Sequence, residues 1–187
     1  MATGALVFAT VACGGGGMDL RLAVEQDLGD LAVREGDVEG PFTYYDAGLT
    51  SSGDIAYRVD FEPEPLDRVE GTLCISNEIN LYPSVEHAVS RLGELQQAVE
   101  EDANSEEGYD ILVPSGLVEP SIAFRFAKQE PFGCFTKAEA ADWYTVAVQR
   151  SNVITFIVLW SVEPDDTDQA VSLANLQAER IESVLAP

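Results

Sequence analysis

Residues 143–160 read WYTVAVQRSNVITFIVLW, and they predict two β-strands joined by a tight turn. Trp143 to Val148 and Val153 to Trp160 are rich in β-branched and aromatic residues, and the polar stretch Gln149-Arg150-Ser151-Asn152 separates them. The second strand is apolar at nearly every position, which is typical of a central strand buried on both faces. The stretch therefore predicts a hairpin at the centre of a β-sheet.

Three further stretches predict strands of the same sheet. Residues 54–61 alternate, with Ile55, Tyr57, Val59 and Phe61 on one face and Asp54, Ala56, Arg58 and Asp60 on a wet face. Residues 69–75 follow across a proline-containing loop and are predicted to pair with that strand. Residues 122–127 alternate in the same way, since Ile122, Phe124 and Phe126 share a face. Together these stretches predict an antiparallel sheet.

Two stretches have helical periodicity. Apolar residues recur at helical spacing from Val85, with Ser84 as the predicted N-cap and an end near Val99. A second helix is predicted after Pro164, and its buried side would carry Ala170, Leu173, Ala174, Gln177, Ile181, Val184 and Leu185. The predicted fold class is α+β, an antiparallel β-sheet packed against two main helices.

Short sequence matches suggest an internal duplication. The tetrapeptide at 36–39, GDVE, recurs as GLVE at 116–119, and the tripeptide AVS at 88–90 recurs at 170–172. Residues 1–17 are predicted to be a leader and tether and take no part in the repeats. Residues 18–187 would form a single α+β domain of two strand-strand-helix pseudo-repeats, about 30–103 and 109–187. The alternative is one irregular α+β domain with coincidental matches.

Composition excludes several classes of function. The chain has 33 Asp and Glu, 10 Lys and Arg and one histidine, which gives a formal net charge of −23. Binding to nucleic acid needs clustered Lys and Arg, and docking on anionic lipid needs a basic patch. The single histidine leaves little for histidine-based catalysis. With 46% apolar residues, the chain has enough material for a packed core.

The first residues contain a lipoprotein-like motif. Residues 5–12 read ALVFATVA, Cys13 follows, and Gly14 to Gly17 form a flexible spacer. This arrangement resembles a bacterial lipoprotein signal, in which the cysteine becomes the lipidated first residue of the mature protein. The resemblance implies lipidation at Cys13 and an extracytoplasmic domain held at the membrane by its lipid anchor. The alternative is an apolar strand or helix with an incidental cysteine, too short to span a bilayer.

Cys74 and Cys134 remain when Cys13 is set aside. An even number of cysteines suits an oxidising compartment, so a Cys74–Cys134 disulfide is predicted. Two buried, reduced thiols are the alternative. Their spacing fits neither a redox CxxC motif nor a zinc site.

The C-terminal half carries a second resemblance. The hairpin at 143–160, followed by a polar turn and the helix sequence AVSLANLQAERI at 170–181, is similar to secreted actinobacterial-type lipoprotein domains. It also resembles the extracellular sensor domains of transmembrane serine/threonine kinases, which are α+β and stapled by disulfides. The resemblance implies an envelope-facing domain that binds a ligand or a partner, and it transfers no binding residue.

Motifs for catalysis or metal binding are weak in this sequence. His87 is expected to be a capping or surface residue, and no nucleophile elbow, P-loop or HExxH occurs. Residues 165–168, DDTD, lack the glycine and glutamate of a calcium loop and suit a helix N-terminus instead. The acidic run at 100–107 is predicted to be a linker between the two copies.

Aromatic residues in or beside the strands are the remaining candidates for a binding surface. Most are expected in the core, but a Tyr or Trp on an uncovered sheet face would line an apolar groove. The aromatic residues concerned are Tyr44, Tyr45, Tyr57, Phe124, Phe126, Trp143, Tyr144 and Trp160.

These observations predict a membrane-tethered, non-catalytic extracytoplasmic domain that binds an unidentified small molecule or protein. It would have no catalytic residue, metal or cofactor, and no nucleic-acid partner. The alternatives are an extracellular hydrolase that uses carboxylates and a structural surface protein without a ligand. A deep pocket with two facing acids would favour the hydrolase, and a shallow aromatic groove would favour binding.

Overall fold

The computed structural model describes residues 20–50, 55–65, 70–105, 108–129, 140–163 and 167–187. Seven strands in these residues form one antiparallel sheet in the order β1-β2-β3-β7-β6-β5-β4. The strands are β1 Phe42–Thr50, β2 Ile55–Pro63, β3 Thr72–Leu81, β4 Tyr109–Leu112, β5 Ser121–Gln129, β6 Ala141–Arg150 and β7 Val153–Ser161. The helices are α1 Leu28–Leu31, α2 Val85–Ser105 and α3 Thr167–Leu185.

The predicted hairpin forms the middle of this sheet. β6 and β7 pair through a turn at Ser151 and Asn152, and β7 lies between β6 and β3. Residues of β7 are buried or half-buried on both faces, as its nearly continuous apolar sequence predicts. The predicted α+β class with an antiparallel sheet is confirmed.

The two long helices lie on opposite faces of the sheet. On β7, the odd-numbered residues of 153–159 pack with α3, and this surface is called the α3 face. The even-numbered residues of 154–160 lie on the other surface, called the α2 face, where Ile154 packs against α2. Every residue predicted for the buried side of α3 is buried except Val184, which is half-buried. Helical periodicity alone does not say to which face a helix returns.

Several element boundaries differ from the prediction. Helix α2 does not end near Val99 but continues to Ser105, so the acids at 100–102 are helical rather than part of a linker. Gln96 donates to Glu100 at 2.9 Å, and Asn104 donates to the Glu100 carbonyl at 2.6 Å. These bonds stabilise the last turns despite the unfavourable acids. Ser84 does act as N-cap, since its hydroxyl accepts from the His87 amide at 3.2 Å.

The strands also show differences. β3 extends from Thr72 to Leu81, well beyond the predicted end at Ile75, and β4 was not predicted at all. The face of β2 predicted to be wet includes the fully buried Ala56. On the opposite face Val59 and Phe61 are buried as predicted, whereas Ile55, the first residue of the strand, is exposed. The polar residues in the second half of β3 interrupt its apolar pattern, and β4 has only four residues, so neither shows the alternation that predicts a strand.

The first half of the chain contributes β1 to β3 and α2, and the second half contributes β4 to β7 and α3, so each half has more strands than the predicted strand-strand-helix unit. The halves meet at β3 and β7, where Asn77 pairs with Ile157. These partners are 157 − 77 = 80 residues apart in sequence, which is also the offset between the matched tetrapeptides at 36–39 and 116–119. A local two-fold axis through this pair therefore relates β3 to β7 at the offset that the duplication predicts. The helices break this symmetry because they lie on opposite faces. Duplication stays a prediction.

A buried hydrogen-bond network holds this central strand pair against α3. The Asn77 Oδ1 accepts from Gln177 Nε2 at 3.0 Å and from the Val33 amide at 2.9 Å. The Asn77 Nδ2 donates to Thr155 Oγ1 at 3.1 Å and to Gln177 Oε1 at 2.9 Å. Gln177 also donates to the Leu31 carbonyl at 3.3 Å. The amide groups are therefore satisfied, which burial requires.

A second buried amide fixes the start of the described chain. Asn152, in the hairpin turn, accepts from the Ala23 amide at 2.6 Å and donates to the Ala23 carbonyl at 3.1 Å. It also donates to the Tyr82 carbonyl at 2.8 Å, at the junction between β3 and α2. Residues near Ala23 therefore dock at the turn end of the central hairpin.

An ion pair attaches the segment between α1 and β1 to α3. The Arg180 guanidinium lies 2.7 Å from the Asp37 carboxylate and donates to the Ala32 carbonyl at 2.6 Å. Burial acts to raise the pKa of Asp37, but hydrogen bonds from Arg180 and from the Arg34 amide outweigh it. The pKa of Asp37 is therefore held below its usual range.

We expect Gln177→Leu to lower the free energy of unfolding by about 2–3 kcal/mol, because it removes the buried hydrogen bonds that Gln177 makes with Asn77 and Thr155. Chemical denaturation followed by circular dichroism measures this change. Gln97→Leu, at an exposed position on α2, is the matched control and should stay within about 0.5 kcal/mol. Equal stability of the two variants would show that the network does not hold the fold.

We expect Asp37→Asn to cost about 1 kcal/mol of unfolding free energy at pH 7. A carboxyl whose folded pKa is depressed stabilises the fold above its unfolded pKa, near 3.9. That contribution is lost as the pH falls through the folded pKa. Denaturation curves from pH 7 to pH 3 should thus converge for wild type and variant. Asp30→Asn, at an exposed position, controls for loss of charge, and curves that stay parallel in acid would contradict the assignment.

Candidate functional site

A groove of about 350 Å³ lies on the α2 face of the sheet. Helix α2 packs chiefly over β4 to β7, and the groove lies beside it over the middle of the sheet. Strands β2, β3, β5, β6 and β7 all contribute to its walls. Its lining residues are Arg58, Ser76, Glu78, Asn80, Phe124, Trp143, Thr145, Phe156, Val158 and Trp160.

Strand register arranges these side chains in cross-strand rows. Trp160 and Trp143 are direct partners in the first row. Ser76, Val158, Thr145 and Phe124 follow one another across four strands in the second row, and Arg58, Glu78 and Phe156 form the third. Since side chains alternate along each strand, one register fixes the whole lining on a single face.

The β5–β6–β7 side of the groove is aromatic. The indole rings of Trp143 and Trp160 stack with centroids 5.6 Å apart and planes at 18°. The row continues toward the sheet edge through Phe126 and Tyr109, whose centroids are 5.3 Å apart. Tyr109 also stacks on Phe124 at 5.5 Å. This side offers a rigid apolar platform.

The β2–β3 side of the groove is polar. Arg58 Nε donates to Asp60 Oδ1 at 2.9 Å, and Asn80 Nδ2 donates to Glu78 Oε1 at 2.9 Å. Ser76 is buried below them at 6% exposure. The groove is thus amphipathic across the strands, with hydrogen-bonding groups on one side and rings on the other.

Three polar atoms of the lining have no hydrogen-bond partner among the described residues. They are the Trp143 and Trp160 indole nitrogens and the Thr145 hydroxyl oxygen. Thr145 is 3% exposed and Trp160 is 7% exposed, so water does not solvate them freely. A buried polar group without a partner costs free energy, and such groups suggest a binding function.

The aromatic residues singled out from the sequence divide between groove and core. Phe124, Trp143 and Trp160 line the groove. Tyr144 is 1% exposed in the core on the α3 face, and Tyr57 packs against the same core. Tyr44 is exposed on the edge strand, edge-to-face with Phe61 at 6.2 Å. The side chain of Tyr45 lies outside the described residues.

The predicted cysteine sites fall largely outside the described residues. Cys13 and Cys134 both lie outside them, so lipidation and the disulfide stay predictions. Cys74 lies in β3, 5% exposed, and clusters with Leu73, Ala141 and Trp160. Its register partner on β7 is Trp160, so Cys74 lies beside the tryptophan pair.

A second, acidic cleft of about 580 Å³ lies on the α3 face. It is bounded by the start of β1, the start of β3 and the first turns of α3, and it contains Asp37, Glu39, Glu163 and Asp168. A hydrolase with paired carboxylates needs one acid with a raised pKa. The ion pair with Arg180 lowers the pKa of Asp37 instead. The cleft therefore gives the hydrolase alternative no positive support.

His87 is exposed at the start of α2 and stacks on Tyr82 with centroids 5.7 Å apart. It lines neither the groove nor the acidic cleft. Within the described ranges, no group of three His, Cys, Asp or Glu side chains is placed to hold a metal ion. No helix in the same part of the chain is both long and apolar enough to cross a membrane.

The sequence did not identify the polar side of the groove. Ser76, Glu78 and Asn80 come from the part of β3 beyond the predicted end of that strand, and Arg58 was recognised only as part of a wet strand face. Thr145 was placed in a strand without a role. The alternation of Arg58 and Asp60 in β2 was the one available signal, since it predicted a sheet face that no helix fully covers.

No protein-family model and no curated protein sequence matches the chain. Among solved structures, the extracellular domain of PknH from Mycobacterium tuberculosis is similar, with a TM-score of 0.63. The alignment covers 87% of this chain and 98% of that domain at 10% sequence identity. At this identity the similarity concerns the fold. The predicted resemblance to extracellular domains of kinases is thus confirmed at the level of the fold, which this chain shares with the PknH domain.

Proposed function

We propose that this protein is a non-catalytic extracytoplasmic domain, tethered by lipidated Cys13, that binds a ligand in the groove on the α2 face. The observation that carries the proposal is the pair of buried polar atoms of Thr145 and Trp160 that have no hydrogen-bond partner among the described residues and lie in a groove with one aromatic side. Concave sites with apolar walls and a few convergent polar groups are the usual form of small-ligand sites.

The proposed location has two supports. The lipoprotein-like sequence before and including Cys13 is the first. The second is the fold shared with a domain that is extracellular in PknH. The proposed Cys74–Cys134 disulfide agrees with an oxidising compartment, and it would form beside Trp160 and the groove.

The docking of Ala23 gives the proposed tether a direction. The chain enters the domain at Asn152, in the turn of the central hairpin. Trp160 is 160 − 152 = 8 residues from that turn, which is about 26 Å along a strand. With the lipid at Cys13, the tryptophan pair would therefore lie at the end of the hairpin opposite the point where the tether joins the domain.

Lipid attachment is tested by growing cells that express the protein with an alkyne-bearing fatty acid. We expect label on the wild-type protein and none on Cys13→Ser, because the thiol is the proposed acceptor. Gly17→Ser, four residues further along, is the control and should keep the label. An unlabelled wild-type protein in a host that lipidates a reference lipoprotein would overturn the tether.

Ligand binding in the groove is tested with Nile red, a neutral apolar dye. We expect saturable, blue-shifted dye fluorescence with the wild-type protein. Val158→Asn places an amide on the groove floor and should weaken binding about tenfold. Val89→Asn, at a position 52% exposed on α2, is the matched control. If both variants bind dye as the wild type does, the groove is not the binding site.

A further inference from the structure

We infer that the ligand of the groove is a neutral carbohydrate. The inference rests on the proposed function and names the chemical class of the ligand. It follows from three properties of the lining: an aromatic side that faces a polar side, buried polar groups without a hydrogen-bond partner among the described residues, and a cation that is already paired with a carboxylate.

The two sides of the groove match the two surfaces of a sugar ring. A pyranose presents aliphatic C–H groups on its faces and hydroxyl groups around its edge. Trp143, Phe124 and Phe156 offer ring surface for the C–H faces. The Glu78 carboxylate and the Asn80 amide, joined at 2.9 Å on the opposite side, offer acceptors and donors for the hydroxyl groups.

The unpartnered atoms distinguish a sugar from a purely apolar ligand. The Thr145 hydroxyl and the Trp160 indole N–H are buried without hydrogen-bond partners among the described residues. A lipid chain or an aromatic hydrocarbon would cover these groups and leave them unpaired, at a cost in affinity. A hydroxyl group both donates and accepts, so it satisfies either one.

Charge distinguishes a neutral sugar from an anionic ligand. The charged side chains of the lining are one cation, Arg58, and one anion, Glu78. Arg58 is engaged with Asp60 at 2.9 Å. The described lining therefore leaves no unpaired cation that would select an anionic ligand. The net charge of −23 on the whole chain further disfavours uronic acids and phosphorylated glycans.

The chain has two tryptophans, and both line the groove, so intrinsic fluorescence reports on this site alone. The purified protein is screened on an array of neutral and acidic glycans, and neutral hits are titrated while tryptophan emission is followed. We expect saturable emission changes with neutral oligosaccharides. Tetragalacturonate and 1-decanol should cause none.

Thr145→Val tests the role of the unpartnered hydroxyl. The valine has nearly the same shape, so we expect the melting temperature to stay constant or rise, and the affinity for the neutral hit to fall about tenfold. Ser183→Ala, exposed on α3 and remote from the groove, is the control and should bind as the wild type does. A Thr145→Val variant with unchanged affinity would remove the hydroxyl from recognition and overturn the inference.

The outcomes separate this inference from the proposed function. If no neutral glycan binds while Nile red still occupies the groove, the carbohydrate class is wrong and the groove remains a ligand site. If neither binds, both proposals are wrong. Binding of 1-decanol or tetragalacturonate in place of neutral glycans would also overturn the carbohydrate class.

Discussion

The fold depends on one buried side-chain pair, Asn77 and Gln177, at the junction of the two halves. Neither amide reaches water, and each finds its partners only when β3 pairs with β7 in the observed register and α3 lies across them. A slip of one residue would move Asn77 to the α2 face, away from Gln177 and the Val33 amide. Apolar packing alone favours collapse, whereas these directional bonds select one register and one helix position.

The sequence was sufficient where a single element carries its own signal. The hairpin at 143–160 and the buried side of α3 followed from periodicity, because each buries a continuous apolar surface. Residues 76–80 of β3 read SNEIN and form a strand because neighbours on both sides and α3 satisfy their polar groups. Such tertiary compensation has no local signature. The acids at 100–102 led to a predicted helix end that is too early. Acids near the C-terminus of a helix are unfavourable, but here hydrogen bonds within α2 offset that cost.

The groove, too, could be predicted only in part from local sequence patterns. Phe124, Trp143 and Trp160 of its aromatic side were among the residues singled out from the sequence, although not distinguished from core residues such as Tyr144. Phe156 was not singled out. The polar side of the groove comes from a different part of the chain, and only the pairing of β3 with β7 brings Glu78 beside Phe156. A binding surface made by two halves of a chain becomes visible only when the order of the strands is known.

The contacts of Asn152 have a mechanical consequence. A pull on the chain ahead of Leu20 would reach the domain first through Arg21 and Ala23, which are hydrogen-bonded to Ser151, Asn152 and the Val184 and Leu185 carbonyls. These few bonds are loaded one after another, whereas the β3–β7 and β6–β7 ladders share a load among many bonds. Residues 20–24 would therefore peel away before the sheet yields. Under such a pull this segment would detach first, and the tryptophan pair at the other end of the hairpin would stay in place.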